Sequence, residues 1–336
     1  MRGMLLILAL IACKSDPVLP TDPPEVRTVS STVPEGSTDR GVLVAYIGDQ
    51  GYGIRSRAVL SLIRDRGADL VVHAGDFDYR DDPESWKAQV EGTLGPGTPY
   101  LAVIGNHDTH AWEGYQPIIA EWSTGVPDLA CHGEPGLAQV CSFRGLDFFL
   151  GSPGLGPGGA AFFETELARS TAMFRTCVWH YNQEDFQVGR KGNQAGYAPY
   201  QACVKHGALI VNGHEHSYSR TRTLTDPGNE SAGHGATGDP ETGLLGPGHG
   251  VVVVSGLAGA SRRSYNAEDH DDDTWWAGIY AGGRHHSNGN EFETELTDGV
   301  FFVHYATADP RKAEGWFENV DGTIIDRVSF VTLPRP

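Results

Sequence analysis

The 336-residue sequence predicts an α/β domain built on a mainly parallel sheet with helices packed outside it. Three observations carry that expectation. Several apolar runs are continuous enough for strands buried on both faces, helix-period stretches lie between them, and the first half reads in the order β-α-β-α-β. "GVLVAYIG" at 41–48 is the first strand. "RSRAVLSLIRDRG" follows, with apolar residues at 59, 60, 62 and 63 and a stop at Gly67, a helix pattern. "ADLVVHAG" at 68–75 is the next strand, Asp82 and Pro83 are the cap and first residue of a second helix, and "YLAVIG" at 100–105 is the third strand. Further strands are expected at 146–151, 177–181, 208–213 and 250–256, with helices near 161–172 and 195–206. The tail, "GVFFVHYAT" and then "GWFENVDGTIIDRVSFVT", carries Asp321-Gly322 between apolar stretches, so the chain is expected to end in antiparallel β. Residues 226–249 and 261–298 are rich in Gly, Asp, His and Asn, which reads as long loops rather than a second domain.

Composition narrows the function. The chain has 25 Lys plus Arg against 43 Asp plus Glu, a formal net charge of -18, which argues against a nucleic-acid surface because phosphate backbones demand the opposite sign. A phosphate substrate would be repelled too, unless bound cations reverse the field locally. At the N-terminus one Arg precedes a short apolar run, Met4 to Ala12, that is too short to span a bilayer. It reads as a signal peptide over 1–12. "LIAC" at 10–13 resembles the lipobox of bacterial lipoproteins, which implies a lipid anchor on Cys13; the alternative is an ordinary secretory signal with an incidental Cys. Residues 13–40 are rich in Pro, Ser, Thr and Asp and form the expected tether, leaving 41–336 as the folded domain. The expected location is the periplasmic or cell-surface face of a membrane, with the outer membrane favoured. Cys131, Cys141, Cys177 and Cys203 then permit two disulfides in three connectivities. Cys131 with Cys141, the shortest loop, and Cys177 with Cys203 are the favoured pairs. Free thiols fit export less well, and a tetrathiolate zinc site lacks its C-x2-C spacing.

Polar residues recur at the C-terminal ends of the strands: "GDQG" at 48–51, "GDFDY" at 75–79, "GNHD" at 105–108, "VWH" at 178–180 and "GHEH" at 213–216. Open α/β sheets bind ligands at that edge. Asp, Asn, His and Tyr without Cys are donors for metals of intermediate hardness. In "HEH", an extended segment would point both imidazoles to one side, towards adjacent metals. Any one of these residues could instead be a cap, a turn residue or a core histidine; five strand ends of one design point to a site.

In this order the five blocks resemble the metallophosphoesterases of the calcineurin-like class, and within it the purple acid phosphatases. Tyr79 stands at the tyrosine of that family's GDxxY block, and "GHEHSYSRT" at 213–221 is similar to its GHxHxYxRT. The resemblance runs from about residue 42 to 330 and implies the small single-domain form, a β-sandwich of two mixed sheets flanked by helices. It implies that Asp49, Asp76, Tyr79 and His216 hold one metal and that Asp76, Asn106, His180 and His214 hold a second, with Asp76 bridging. Two metals about 3.5–4 Å apart can clamp the attacking and leaving oxygens of an in-line displacement, and their charge would draw in a phosphate. A phenolate ligand implies Fe(III) at the Tyr79 position, and the second set suits divalent Fe, Zn or Mn. His107 is then free to donate a proton to the leaving group, with Asp108 to orient it and His110 as a further candidate.

Family members commonly carry a histidine shortly after the VxxH block, and "YNQEDFQVGRKGNQ" at 181–194 has none. Arg190 or Lys191 is expected to contact the phosphate instead. "EDHDDD" at 268–273 and His285-His286 read as a solvated acidic loop rather than an extra metal site. The expected reaction is hydrolysis of phosphate monoesters, on small molecules or phosphoproteins, by hydroxide activated on the metal pair. The alternatives are a phosphodiesterase using the same pair and an inactive surface binding protein. Substrate choice is expected to reside in loops at 109–135, 182–194 and 226–298.

Overall fold

A computed structural model describes residues 40–335. The predicted signal peptide, Cys13 and the tether up to residue 39 lie outside the described residues. In chain order the elements are β1 (Val42–Ile47), α1 (Ile54–Arg66), β2 (Leu70–His73), α2 (Pro83–Leu94), β3 (Tyr100–Ala102), α3 (Trp112–Trp122), β4 (Leu129–Glu134), β5 (Ala138–Phe143), β6 (Leu146–Leu150), α4 (Ala160–Arg169), β7 (Arg175–Trp179), α5 (Ala198–His206) and β8 (Leu209–Asn212). The second part is nearly all β: β9 (Tyr218–Thr221), β10 (Thr242–Leu245), β11 (Val251–Ser255), the single turn α6 (Ala267–His270), β12 (Trp276–Ala281), β13 (Arg284–Ser287), β14 (Asn290–Glu291), β15 (Gly299–Tyr305), β16 (Lys312–Asn319) and β17 (Ile324–Thr332).

Two mixed sheets result, one ordered β10-β17-β16-β15-β1-β2-β3 and the other β14-β13-β12-β9-β11-β8-β7-β6-β5-β4. Pairing is parallel along β1-β2-β3, along β6-β7-β8-β11 and at the β10-β17 edge, and antiparallel elsewhere. The mainly parallel sheet expected from the first half is therefore corrected. Crossover helices impose parallel pairing only where they connect strands, and the helix-poor second half returns through hairpins.

Alternation explains why the central runs are apolar throughout. Val44 and Tyr46 of β1 face Val178 and Val211 across the space between the sheets, while Ala45 and Ile47 pack outward on α1, α2 and α3 through Val59, Ile63, Trp86 and Ile119. The other sheet does the same: Cys177 and Trp179 pack outward on α4 and α5 through Phe163, Leu167 and Tyr200. Each fully buried Val or Ile contributes about 1.5–3 kcal/mol, so a register slip of one residue is strongly disfavoured. Asp82 caps α2 by accepting from the Ser85 amide at 3.1 Å, ahead of Pro83. The disulfides pair Cys131 with Cys141 across the β4-β5 ladder and Cys177 of β7 with Cys203 of α5, which ties that helix to its sheet.

Segments read as loops turn out to hold structure. Residues 109–135 contain α3 and β4, residues 226–249 contain β10, and residues 261–298 contain α6 and β12 to β14. β12 is buried along its whole length. Its Gly278 looks like loop composition but is a packing requirement: a Cβ there would come within 2.7 Å of the Asp326 carboxylate. That carboxylate binds Arg220 Nε at 2.6 Å and Tyr218 Oη at 2.7 Å, locking β9 of one sheet to β17 of the other. The Tyr and Arg of "GHEHSYSRT" thus hold the sandwich together. The 268–273 segment is also corrected in part. His270 is buried, with Nδ1 2.9 Å from Asp273 Oδ2 and Nε2 3.2 Å from the Gly189 carbonyl, so it pins the segment that carries Lys191.

Candidate metal centre

Every block from Asp49 to His216 emerges where a parallel strand stops. β1 ends before Asp49, β2 before Asp76 and Tyr79, β3 before Asn106 and His107, β7 before His180, and β8 before His214 and His216. The turns are forced. Asp49, Asp76, Tyr79 and His214 all have positive φ, 59°, 60°, 59° and 70°, which costs a non-glycine residue on the order of 1–3 kcal/mol. Gly105 permits a close approach, because a Cβ on it would lie 2.2 Å from the Asp76 amide and carboxylate.

Two buried groups of donors converge, Asp76 with His180 and His214, and Asp49 with Asp76 and His216, each within 4.8 Å. Asp76 belongs to both. His180 Nε2 lies 3.3 Å from Asp76 Oδ1, 3.1 Å from Asn106 Oδ1 and 3.2 Å from His214 Nδ1. In the other group, His216 Nε2 lies 3.2 Å from Asp49 Oδ1, and the Tyr79 hydroxyl lies 3.0 Å from that oxygen and 2.9 Å from that nitrogen. The structure therefore brings all seven expected ligands to one place. The "HEH" segment does so without being extended. Glu215 N donates to the Gly213 carbonyl at 2.9 Å and Ser217 N to the Glu215 carbonyl at 2.8 Å, two successive three-residue turns that send the imidazoles to different groups.

The donor set fits metal ions. The far nitrogens of two rings are committed outward, His180 Nδ1 to the Ala74 carbonyl at 2.8 Å and His216 Nδ1 to the Ser261 carbonyl at 3.0 Å, which turns the Nε2 lone pairs inward. His180 Nε2 and His214 Nδ1 face each other at 3.2 Å, and only a shared proton or a cation relieves that opposition. Burial disfavours the charged His180 ring, but Asp76 outweighs it and pushes the ring up to about 9. For Asp76 burial works upward, and His180 and the His107 amide reverse it, holding the carboxyl well below its usual range. His214 falls to about 2 through burial and the positive charges of His180 and Lys191. Burial and the charges of Asp49 and Asp76 raise the Tyr79 phenol far above its usual value, so its proton yields only to a strongly acidic ion.

Asp108 departs from expectation. Its Oδ2 accepts from the amides of Gly105 at 2.7 Å and Asp76 at 2.9 Å, and its Oδ1 from Phe77 at 2.8 Å. It clips two ligand loops together and does not orient His107. The His107 ring is exposed at the rim, stacked at an angle on Tyr79 with centroids 4.6 Å apart. Lys191 is half-buried and lowered by burial and by Arg263, with Glu215, Asp49 and Asp76 as the acidic groups in range. Arg190 and His110 are exposed and are not brought into contact with the ligands. Three neighbours escaped the sequence reading: Gln194 Oε1 lies 2.5 Å from His214 Nε2, Ser261 holds His216, and Arg263 Nη1 lies 3.2 Å from the buried Glu215 carboxylate. Gln194 comes from between the last two blocks and Ser261 and Arg263 from beyond the last, where no motif marks them.

Solved structures share this architecture. A purple acid phosphatase, PPD1, from seeds of yellow lupin (Lupinus luteus) aligns with a TM-score of 0.59 at 16% identity, over 87% of this chain and 54% of that one. GAP50, described as the anchor in the inner membrane complex of Plasmodium, aligns with a TM-score of 0.54 at 11% identity, over 88% and 90% of the two chains. PhoD aligns with a TM-score of 0.50 at 9% identity, over 84% and 67%. The chain thus spans about half the length of the lupin protein. No curated protein sequence matches it. The family model for calcineurin-like phosphoesterases, however, matches residues 44–218, the stretch that delivers every converging ligand from Asp49 to His216, and the chain belongs to that family.

Proposed function

We propose that the protein is a two-metal phosphomonoesterase of the purple acid phosphatase type. The observation that carries the proposal is Asp76, whose one carboxylate serves both donor groups, with the Tyr79 phenol turned into the group of Asp49 and His216. Asp49, Asp76, Tyr79 and His216 hold the first ion, Fe(III). Asp76, Asn106, His180 and His214 hold the second, a divalent Fe, Zn or Mn. When bound, the ions polarise the phosphate oxygens and neutralise charge in a protein that is otherwise strongly acidic. Lys191 orients the phosphate from the side of His214. His107, exposed beside Tyr79, gives a proton to the departing alkoxide oxygen. The substrate is a phosphorylated small molecule or phosphoprotein.

Metal analysis combined with hydrolysis of p-nitrophenyl phosphate and bis(p-nitrophenyl) phosphate tests this reading. Two ions per chain and faster monoester cleavage are expected. A diester rate far above the monoester rate would select the phosphodiesterase alternative. Full metal occupancy without hydrolysis of either would favour a binding role, in line with the anchor described for GAP50. Iron in the Tyr79 position predicts a visible absorption band that Tyr79→Phe removes; a colourless, fully active protein with two Mn ions would refute the iron assignment. Anchoring through Cys13, and with it the periplasmic or cell-surface location, rests on residues 1–13. No helix of the described residues is long and apolar enough to cross a membrane. Cys13→Ser is expected to release the protein from the membrane fraction.

A further inference from the structure

A cavity of about 440 Å³ opens beside the metal centre, between the loop after β1 and residues 259–261. It shares Tyr79 with the first donor group and Ser261 with the outward nitrogen of His216, so its occupant lies next to the reacting phosphate. One charged side chain on its wall is left over. Among the described residues no carboxylate lies within ion-pair distance of the Arg80 guanidinium, which instead sits 4.7 Å from the centre of the half-exposed Tyr52 ring. The other arginines at this rim are spent: Arg55 and Arg262 both bind Asp298, at 2.7 Å and 3.0 Å, and Arg263 binds Glu215. Asp78, the one carboxylate on the cavity wall, is occupied by the Tyr115 hydroxyl at 2.6 Å and the amides of Arg80 and Asp82.

An unpaired arginine facing a cavity is a poor stabiliser but a good receptor. The planar fork matches carboxylate or phosphate oxygens, and stacking on Tyr52 fixes its position before binding, which lowers the entropic cost. In a chain of net charge -18 it also marks where the surface accepts a second anion. We propose that this cavity receives a second anionic group on the leaving portion of the substrate, a carboxylate or a second phosphate, with Arg80 as its receptor and Tyr52 as its support. This rests on the phosphomonoesterase reading above and narrows the substrate class to organic phosphates that carry another anion.

The test compares kcat/KM of the metal-loaded protein for glycerol 3-phosphate, 3-phosphoglycerate and 1,3-propanediol bisphosphate. The last two are expected to be preferred by about tenfold or more over the first, in keeping with a charge-assisted bidentate contact. Arg80→Gln is expected to collapse that preference, Arg80→Lys to restore part of it, and Tyr52→Leu to weaken it. A preference for the carboxylate substrate alone, or for the bisphosphate alone, identifies which anion the cavity takes. Calorimetric binding of phosphonoacetate against methylphosphonate, which are not hydrolysed, gives an independent reading of the same contact. Equal preferences in wild type and Arg80→Gln, in turnover and in binding, overturn the inference, as does equal loss of both phosphonates. Arg80-dependent binding without turnover would uphold the receptor and refute only the phosphomonoesterase reading.

Discussion

Asp108→Ala separates a clip from a catalytic partner. The carboxylate is fully buried and accepts from three backbone amides, those of Gly105, Asp76 and Phe77, at 2.7–2.9 Å. Truncation strands three buried donors. A buried donor left unsatisfied costs about 1–3 kcal/mol, and one of the three gaining a water leaves two, so the expected loss is about 2–6 kcal/mol. That is a large share of a typical stability of about 5–15 kcal/mol. Asp108→Asn keeps one oxygen for two of the amides and turns its NH2 group on the third. It also brings no charge into the site, matching a carboxyl that burial and the neighbouring Asp76 push up to about 8 against the pull of its amide donors. Its expected cost is therefore only about 1 kcal/mol. Urea unfolding of the chelator-treated proteins measures both values, and metal titration of the folded variants shows whether the Asp76 loop has loosened. An Asp108→Ala protein within about 1 kcal/mol of wild type, yet as slow as His107→Ala, would refute the clip and restore Asp108 as the partner of that imidazole.

Asp76→Ala is expected to lose metal from both positions, while His107→Ala keeps its metal and loses about 10²–10⁴ in turnover, as judged by metal analysis and kcat. Asp326→Ala leaves Arg220 buried and unpaired, and an unfolding midpoint shift equivalent to about 3–5 kcal/mol is expected. His270 supplies a pH dependence. Burial works against its charged form, but Asp273 outweighs it, so the folded pKa lies above the ordinary 6.5. Such a group contributes fully below the unfolded pKa and loses its contribution as pH rises through the folded value. The stability gap between wild type and His270→Gln should therefore shrink as the pH rises above 6.5 in thermal unfolding; a gap that widens with pH would contradict the Asp273 pairing.

The strand ends and what they carry are legible in the order of residues alone. Apolar runs that stop abruptly at Gly-Asp, Gly-Asn-His or Gly-His are local statements, since strand burial and the residue types that follow need no distant partner to be read. The favoured disulfides, the cap at Asp82 and the hairpin at Asp321-Gly322 are legible for the same reason. How those ends are supported emerges from the folded chain. Asp108 sits beside His107 in the chain, yet its three bonds run to amides from two different loops, a geometry that adjacency cannot express. Gly278 and the segments from 226 to 298 look like loops because their glycines and polar residues answer to partners far away, Asp326 behind β12 and Gly189 above His270. Arg263, Gln194 and Ser261 reach the metal ligands from segments with no periodic pattern, and Arg80 differs from Arg55, Arg262 and Arg263 at the same rim because those three have found carboxylates and it has not. Those facts are pairings across 20 to about 80 residues, and a pattern read along the chain carries no information about which of many possible pairings the closed sandwich will allow.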